Sequence, residues 1–404
     1  MKRSEPDGRP ADICVVGGAG HVGLPLSIVF ALKGQRVLIY DIDRTALATI
    51  ARGEMPFMEE GAEPLLKDLI GRDALSLTAD PAAIAGVPTL IITIGTPVDK
   101  FFNPDLSVIR QCADDLLPFL SDGQLIVLRS TVCPGTTDWL ARYLLANGRR
   151  VRVSFCPERV VQGKAIQELQ SFPQIVSGVT AEAEEAAAKI FGLIALDIVR
   201  LSPIEAEFAK LFSNAYRYIH FAIANQLYMI ATAAGVDYYR VLDGVKKDYP
   251  RMQDLPSAGF TAGPCLFKDT MQLVASSNNL ATLGHAAMLI NEGLPLFIVE
   301  RLEKRWDLEL LTVGLLGMAF KADNDDPRSS LSYKLKKILR MKAKAVLTAD
   351  PYVKGDPDIR PVDTVLSHSD LLILCVPHTV YRPLDVRGKP VVDVWNFWGR
   401  GTGL

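Results

Sequence analysis

The sequence predicts an α/β protein with two doubly wound parallel sheets joined by a long central helix. Three observations carry that expectation. Short apolar runs alternate with helix-length segments at both ends of the chain: "ICVV" and "VLIY" early, then "LTVGLLGMAF", "KAVLTADPYV", "DLLILCVPH" and "KPVVDVWNF" late. Unbroken apolar runs of this length suit strands covered on both faces. Between the two sets runs a continuous helical pattern from Pro203 to Ala234. Finally, 404 residues, 49% of them apolar, are enough for more than one core. The expected division is a Rossmann-like domain over 1–200, a helical domain over 201–300 and a second Rossmann-like domain over 301–404.

Composition narrows the function classes. A formal charge of -2 leaves no basic excess for nucleic acid, and no polybasic run favours anionic lipid. The opening "MKRSEPDGRPAD" has no apolar core of a secretory signal, and no apolar run approaches the roughly 20 residues of a membrane span. A cytoplasmic protein with neither membrane nor nucleic-acid partners is expected. The six cysteines (Cys14, Cys112, Cys133, Cys156, Cys265 and Cys375) are scattered without a C-x-x-C pair, which argues against zinc and against a disulfide framework. The five histidines show no ligand-like spacing, so no metal site is expected. Cys14, Cys112 and Cys375 sit in strand-like or helix-like stretches and read as core.

Taken in order, the first strand runs into Gly18-x-Gly20-x-x-Gly23, a helix follows from Leu24 to Leu32, and a second strand ends at Asp41. Glycines here allow a tight turn, close approach of the backbone to a pyrophosphate, and close helix–strand packing. The helix N-terminus faces the phosphates and Asp41 can hold the ribose hydroxyls. A carboxylate would repel a 2′-phosphate, so NAD is expected rather than NADP. Two further strands, in "TLIITIGTPVD" and "LIVLRSTVCPGTT", end at Thr96-Pro97 and Ser130-Thr131, and Glu158 follows a third in "VSFCPERVVQGKA". Each threonine alone reads as a helix cap. Together at consecutive strand ends they are placed to line a nicotinamide site.

The central helix starts at Ser202 or Pro203 and stops at Gly235. So long and apolar a helix suits a domain connector or an oligomer interface. Lys210 and Asn214, four apart, share one of its faces. In the last hundred residues the strand pattern returns without the glycine fingerprint, although Asp350 echoes Asp41. The second domain therefore holds something other than the dinucleotide.

Eight stretches in order, "GGAGHVGLPL", "GTPVD", "STVCPGTT", "CPERV", "EFAKLFSNAYR", "GPCLFKD", "LGMAFKADNDDPR" and "VVDVWN", make the chain resemble the nucleotide-sugar 6-dehydrogenases of the UDP-glucose/GDP-mannose dehydrogenase family. The resemblance covers nearly the whole length. It implies NAD-dependent, four-electron oxidation of a sugar C6 alcohol to a carboxylate, supplying polysaccharide biosynthesis. It also implies a homodimer or higher homo-oligomer, with dimerisation and the nucleophile in the central domain and the UDP-sugar in the last.

By position, Cys265 matches the family nucleophile that forms a thiohemiacetal and then a thioester, with Lys268 near enough in sequence to lower its pKa. Lys210 matches a lysine that stabilises oxyanions, Asn214 its partner at the substrate, Asp269 and Thr131 residues that handle water, and Glu158 the glutamate of thioester hydrolysis. The resemblance places Gly18, Gly20, His21, Val22, Gly23, Asp41, Thr96, Pro97, Ser130, Thr131, Lys268 and Arg328 at the cofactor. It places Glu158, Arg159, Val160, Lys210, Asn214, Arg251, Phe260, Gly263, Phe320 and Lys321 at the substrate. The stretch before the cysteine, "SAGFTAGPC", has Ala258 and Ala262 where the family carries more glycine. "CPERVVQGKA" and the "PR" at 250 and 251 resemble the N-acetylamino-sugar enzymes, while "CLFKD" resembles the UDP-glucose branch. A UDP-N-acetylhexosamine such as UDP-ManNAc or UDP-GlcNAc is the expected substrate, with UDP-glucose the alternative. A two-electron hydroxyacid dehydrogenase of similar layout would need no cysteine.

Overall fold

A computed structural model describes residues 11–404 except 97, 100–104, 261, 262 and 279; the expected cofactor residue Pro97, and Ala262, therefore lie outside the described residues. By internal packing the chain divides into two compact units, one ending at Phe212 and one beginning at Ser213. A single helix, Pro203–Ala233, joins them.

The first unit contains an eight-stranded sheet. Its strands are β1 (Ile13–Val16), β2 (Val37–Tyr40), β3 (Leu75–Thr78), β4 (Thr89–Ile92), β5 (Leu125–Leu128), β6 (Arg152–Phe155), β7 (Gln174–Gly178) and β8 (Ile198–Arg200). They lie in the order β3-β2-β1-β4-β5-β6-β7-β8. The pairings are parallel except between β6 and β7. The unbroken apolar strands now have their reason. Ile13, Val15, Val37 and Ile39 enter one core, and Cys14, Val16, Leu38 and Tyr40 enter another on the opposite face. Successive side chains point to opposite faces, so a sheet covered on both sides needs apolar residues at every position.

The second unit contains β9 (Thr312–Leu316), β10 (Ala345–Ala349), β11 (Leu371–Leu374) and β12 (Val391–Asp393). They pair in parallel in the order β10-β9-β11-β12. Both sheets change direction of winding beside their first strand, between β1 and β4 and between β9 and β11. Such a switch opens a crevice at the carboxyl ends of the strands.

The two first turns are built alike. Gly17 (φ 75°) follows β1 and donates to Tyr40 O at the end of β2; Gly317 (φ 95°) follows β9 and donates to Ala349 O at the end of β10. Aligned on these two glycines, Met318, Phe320 and Asp323 stand where the first loop has Gly18, Gly20 and Gly23. The second domain kept the turn and lost the fingerprint.

The central helix ends one residue earlier than its sequence pattern, with Gly235 at φ 71° beyond it. A second long helix, Thr282–Glu303, has the length and composition of a membrane span, although Asn291 and Glu292 interrupt its apolar run. Its mean hydropathy over 18 residues reaches 1.3. Leu294, Ile298, Val299 and Leu302 on that helix are buried in the second unit's core, so it serves there as a core helix.

Candidate functional site

At the end of β1 the backbone itself shows why glycines are needed. A Cβ on Gly18 would stand 2.7 Å from Val15 O, and one on Gly23 2.6 Å from Gly17 O. A Cβ on Gly20 would meet only Gly17 O, at an ordinary contact distance of 3.6 Å, so this glycine is the least crowded of the three. Tight packing at Gly18 and Gly23 with more room at Gly20 is the arrangement a pyrophosphate requires, followed here by the Gly23–Leu32 helix N-terminus. His21 stacks on Phe57 at 4.0 Å between ring centroids, and Val22 precedes the helix. Asp41 Oδ2 accepts the Ala19 amide (2.9 Å) and Oδ1 the Asp43 amide (3.0 Å). Those bonds fix the carboxylate against the glycine loop at the end of β2.

The neighbouring strand ends are tied to this loop by hydroxyls. Thr93 Oγ1 donates to Val16 O (2.9 Å) and Gly17 O (3.0 Å). Thr96 Oγ1 donates to Thr131 O, and Ser130 Oγ to Ile94 O. Thr96, Ser130 and Thr131 thus gather along one lip of the sheet, as their strand-end positions suggest. Thr93 and Gly17 belong to the same lip although the fingerprint does not name them.

Glu158, after β6, is held by Arg129, a fully buried arginine at the end of β5. The Arg129 Nε and Nη2 both donate to Glu158 Oε2, while the amides of Arg159 (2.7 Å) and Val160 (2.9 Å) donate to Oε1. The other guanidinium nitrogen, Nη1, reaches Cys156 O and Gln174 Oε1, and the Phe191 ring lies 5.0 Å beneath the cation. A buried cation needs this degree of pairing. Nothing in the local sequence marked Arg129, because its partners come from β6, β7 and a helix 62 residues on.

Lys210 and Asn214 are both buried on the central helix, Lys210 in the first unit and Asn214 in the second. One turn before Lys210, Glu207 accepts Gly135 N, Thr137 N and Thr137 Oγ1, capping the Thr136–Ala146 helix.

In the second unit Cys265 is exposed and immediately precedes the Leu266–Ser276 helix. By contrast, burial pushes the thiols of Cys14, Cys112 and Cys156 up to about 12. One turn after Cys265, Asp269 is 1% exposed, and its amide donates to Cys265 O at 2.9 Å. Its carboxylate lies between Asn214 Nδ2 (2.5 Å) and Lys268 Nζ (3.1 Å). Lys268 is thus ion-paired with Asp269. Arg328 also senses the cysteine: its guanidinium pKa is raised first by its hydrogen bonds to Asp326 and also by the negative charge of Cys265.

The chain before Cys265 is shaped by two close approaches. A Cβ on Gly263 would fall 2.6 Å from the Phe320 ring, and one on Gly259 2.3 Å from the Trp395 ring. Phe260 is buried between them in sequence, and the Gly259 amide donates to the buried Asn225. Phe320 and Lys321 lie on the loop after β9, which Arg328 closes through Asp326. Arg251 is exposed in the short Pro250–Met252 turn, with its guanidinium 5.9 Å from the Tyr249 ring centroid. Among the described residues no group of three or more histidine, cysteine or acidic side chains is arranged to hold a metal ion.

Comparison with known proteins covers the full architecture. Three models of the UDP-glucose/GDP-mannose dehydrogenase family match: the NAD binding domain over residues 11–193, the central domain over 204–293 and the UDP binding domain over 314–400. The UDP-N-acetyl-D-mannosamine dehydrogenase of Pyrococcus horikoshii is 30% identical over 398 residues, 94% of each chain. The NDP-N-acetyl-D-galactosaminuronic acid dehydrogenase of Ralstonia nicotianae is 28% identical over 95% of each. Among solved structures, the UDP-D-ManNAc dehydrogenase of Pyrococcus horikoshii superposes with a TM-score of 0.88 at 29% identity, covering 95% of each chain. A UDP-glucose dehydrogenase of Pyrobaculum islandicum gives 0.87 at 27%, covering 98% of this chain and 96% of that one.

Proposed function

Because the chain belongs to the UDP-glucose/GDP-mannose dehydrogenase family and is an NAD-linked nucleotide-sugar dehydrogenase, we propose that it converts a UDP-N-acetylhexosamine to its uronic acid through a covalent Cys265 adduct. The observation that carries this reading is the exposed thiol at the start of a helix, one turn from a buried carboxylate held by Asn214 and Lys268. A helix N-terminus and a nearby guanidinium both favour the thiolate, the form that attacks a carbonyl.

NAD⁺ bound at the glycine loop supplies two hydride acceptances, one molecule for each oxidation. The first oxidation takes the C6 hydroxymethyl to an aldehyde and releases a proton. Cys265 Sγ then adds to the aldehyde carbon, giving a thiohemiacetal. Loss of its C6 hydride and hydroxyl proton leaves a thioester. Water cleaves the C–S bond, giving the carboxylate and returning the thiol. In this scheme Lys210 and Asn214 steady the oxyanions, and Asp269 and Thr131 orient water. Glu158 contributes to hydrolysis as a carboxyl fixed in place. Each of its oxygens already accepts two N–H donors, which sets its orientation.

The N-acetylamino sugar is supported by "CPERV", by Arg251 and by relatives named UDP-N-acetyl-D-mannosamine dehydrogenase and NDP-N-acetyl-D-galactosaminuronic acid dehydrogenase. The enzyme is read as a cytoplasmic homodimer supplying uronic acids for polysaccharide biosynthesis. The test is a panel of UDP-ManNAc, UDP-GlcNAc, UDP-GalNAc and UDP-glucose with NAD⁺, following NADH. An N-acetylated sugar should give the highest kcat/KM, with two NADH per sugar consumed. Highest kcat/KM on UDP-glucose would reassign the sugar, and one NADH per sugar would remove the thioester route.

A further inference from the structure

The acid at the end of β2 faces a glycine loop, but its counterpart in the second domain is engaged differently. Asp350, just beyond β10, exposes none of its side chain. Its Oδ2 accepts the amides of Met318 (2.6 Å) and Ala319 (3.0 Å), and its Oδ1 those of Tyr352 (2.8 Å) and Val353 (2.9 Å). A fifth contact comes from His378 Nε2, 3.1 Å from Oδ2, on the loop after β11 and equally buried.

The other ring nitrogen fixes the tautomer. The Asp323 amide lies 3.0 Å from His378 Nδ1, and an amide can only donate. Nδ1 therefore carries the lone pair and Nε2 the proton, which is given to Asp350. Asp323 answers with its carboxylate, which accepts Thr379 N (2.8 Å) and Thr379 Oγ1 (2.5 Å). Its backbone is at φ 50°, in the left-handed region that aspartate adopts more readily than most residues.

Loops following β9, β10 and β11 are thus locked to one imidazole, at the point where the strand order switches. In an open parallel sheet this crevice is where ligands bind. The locked loop, residues 317–328, carries Phe320, Lys321 and Arg328. Asp350, saturated and buried, is not available to ribose hydroxyls, so recognition falls to the loop it anchors.

We propose that His378 is a positioning residue which, through Asp323 and Asp350, sets the 317–328 loop for the uridine diphosphate part of the substrate. This rests on the reading of the second domain as the one that takes the UDP-sugar. A rigid ring is suited to the task because it donates to one loop and accepts from another at fixed separation. The two amide replacements split those roles: His378→Gln keeps a donor for Asp350 and loses the acceptor for Asp323, while His378→Asn does the reverse.

The full-length protein is titrated with UDP by calorimetry, and separately with NAD⁺ to report on the first domain. His378→Gln should weaken UDP binding about tenfold, the order expected when a buried donor loses its acceptor, and His378→Asn less than about threefold. NAD⁺ affinity should stay unchanged in both. Asp323→Gly relieves the positive φ while deleting the Thr379 clamp, so it should fold and weaken UDP by an intermediate factor. UDP affinity equal to the parent's in His378→Gln and Asp323→Gly overturns the proposal. A parallel fall in UDP and NAD⁺ affinity also overturns it, since that marks a histidine needed only for folding. Failure of the parent to bind UDP, with NAD⁺ still bound, removes the underlying UDP reading and the proposal with it.

Discussion

In the proposed thioester route, replacing Cys265 or Glu158 should separate the chemical steps. Cys265→Ser should lose net uronic acid formation by several orders of magnitude, the scale seen when a nucleophile is removed. Glu158→Gln should stall later, with the thioester formed and its hydrolysis slowed. Intact-protein mass spectrometry with substrate and NAD⁺ should then find a covalent adduct on Glu158→Gln and none on Cys265→Ser. Full carboxylate production by Cys265→Ser would make the cysteine a bystander. At this scale the sequence was informative about identity and silent about partners. Cys265, Asp269 and Lys268 stand together in "GPCLFKD", but Asn214, 55 residues away, is what grips Asp269. Arg129 was invisible because its hydrogen bonds reach residues 27 to 45 positions distant.

Among the elements, the Thr136–Ala146 helix shows how one carboxylate couples packing to pH. Glu207 is fully buried, and burial raises its pKa above the usual glutamate value of 4.5 despite the hydrogen bonds from Thr137 and Gly135. A carboxyl raised in the folded state binds its proton more tightly there than in the unfolded chain. Its contribution to stability is therefore complete below about 4.5 and is lost as pH rises through the raised value. Denaturant midpoints measured from pH 4.5 upward should fall more steeply for the parent than for Glu207→Gln, which cannot titrate. Parallel slopes would show that Glu207 does not govern this window. Helix and strand existence was readable here, since β1 and β2 coincide with the apolar runs Ile13–Val16 and Val37–Tyr40. Strands β3, β7 and β8 were not singled out. "LSLT" and "IVR" are short and partly exposed, and β7 pairs against the direction of its neighbour β6.

For the whole molecule, the Pro203–Ala233 helix leaves Phe212, Tyr216, Ile223, Leu227 and Ile230 exposed. Their spacings of four, seven, four and three residues place them along one stripe. An apolar stripe of that length fits a second copy of the chain. Light scattering at micromolar concentration should give twice the chain mass for the parent and a shift toward monomer for the paired change Ile223→Glu and Leu227→Glu. A parent that stays monomeric would end that reading. By itself the sequence determined the two doubly wound domains, the linking helix and the dinucleotide loop, because each is written in local spacing: glycines two and three apart, apolar runs, a helical period. Tertiary structure alone decided that Asp350 belongs to His378, Glu158 to Arg129 and Arg328 to the neighbourhood of Cys265. Those assignments depend on which strand ends the sheet order brings side by side, and on the need of every buried charge for a partner, neither of which has a period along the chain.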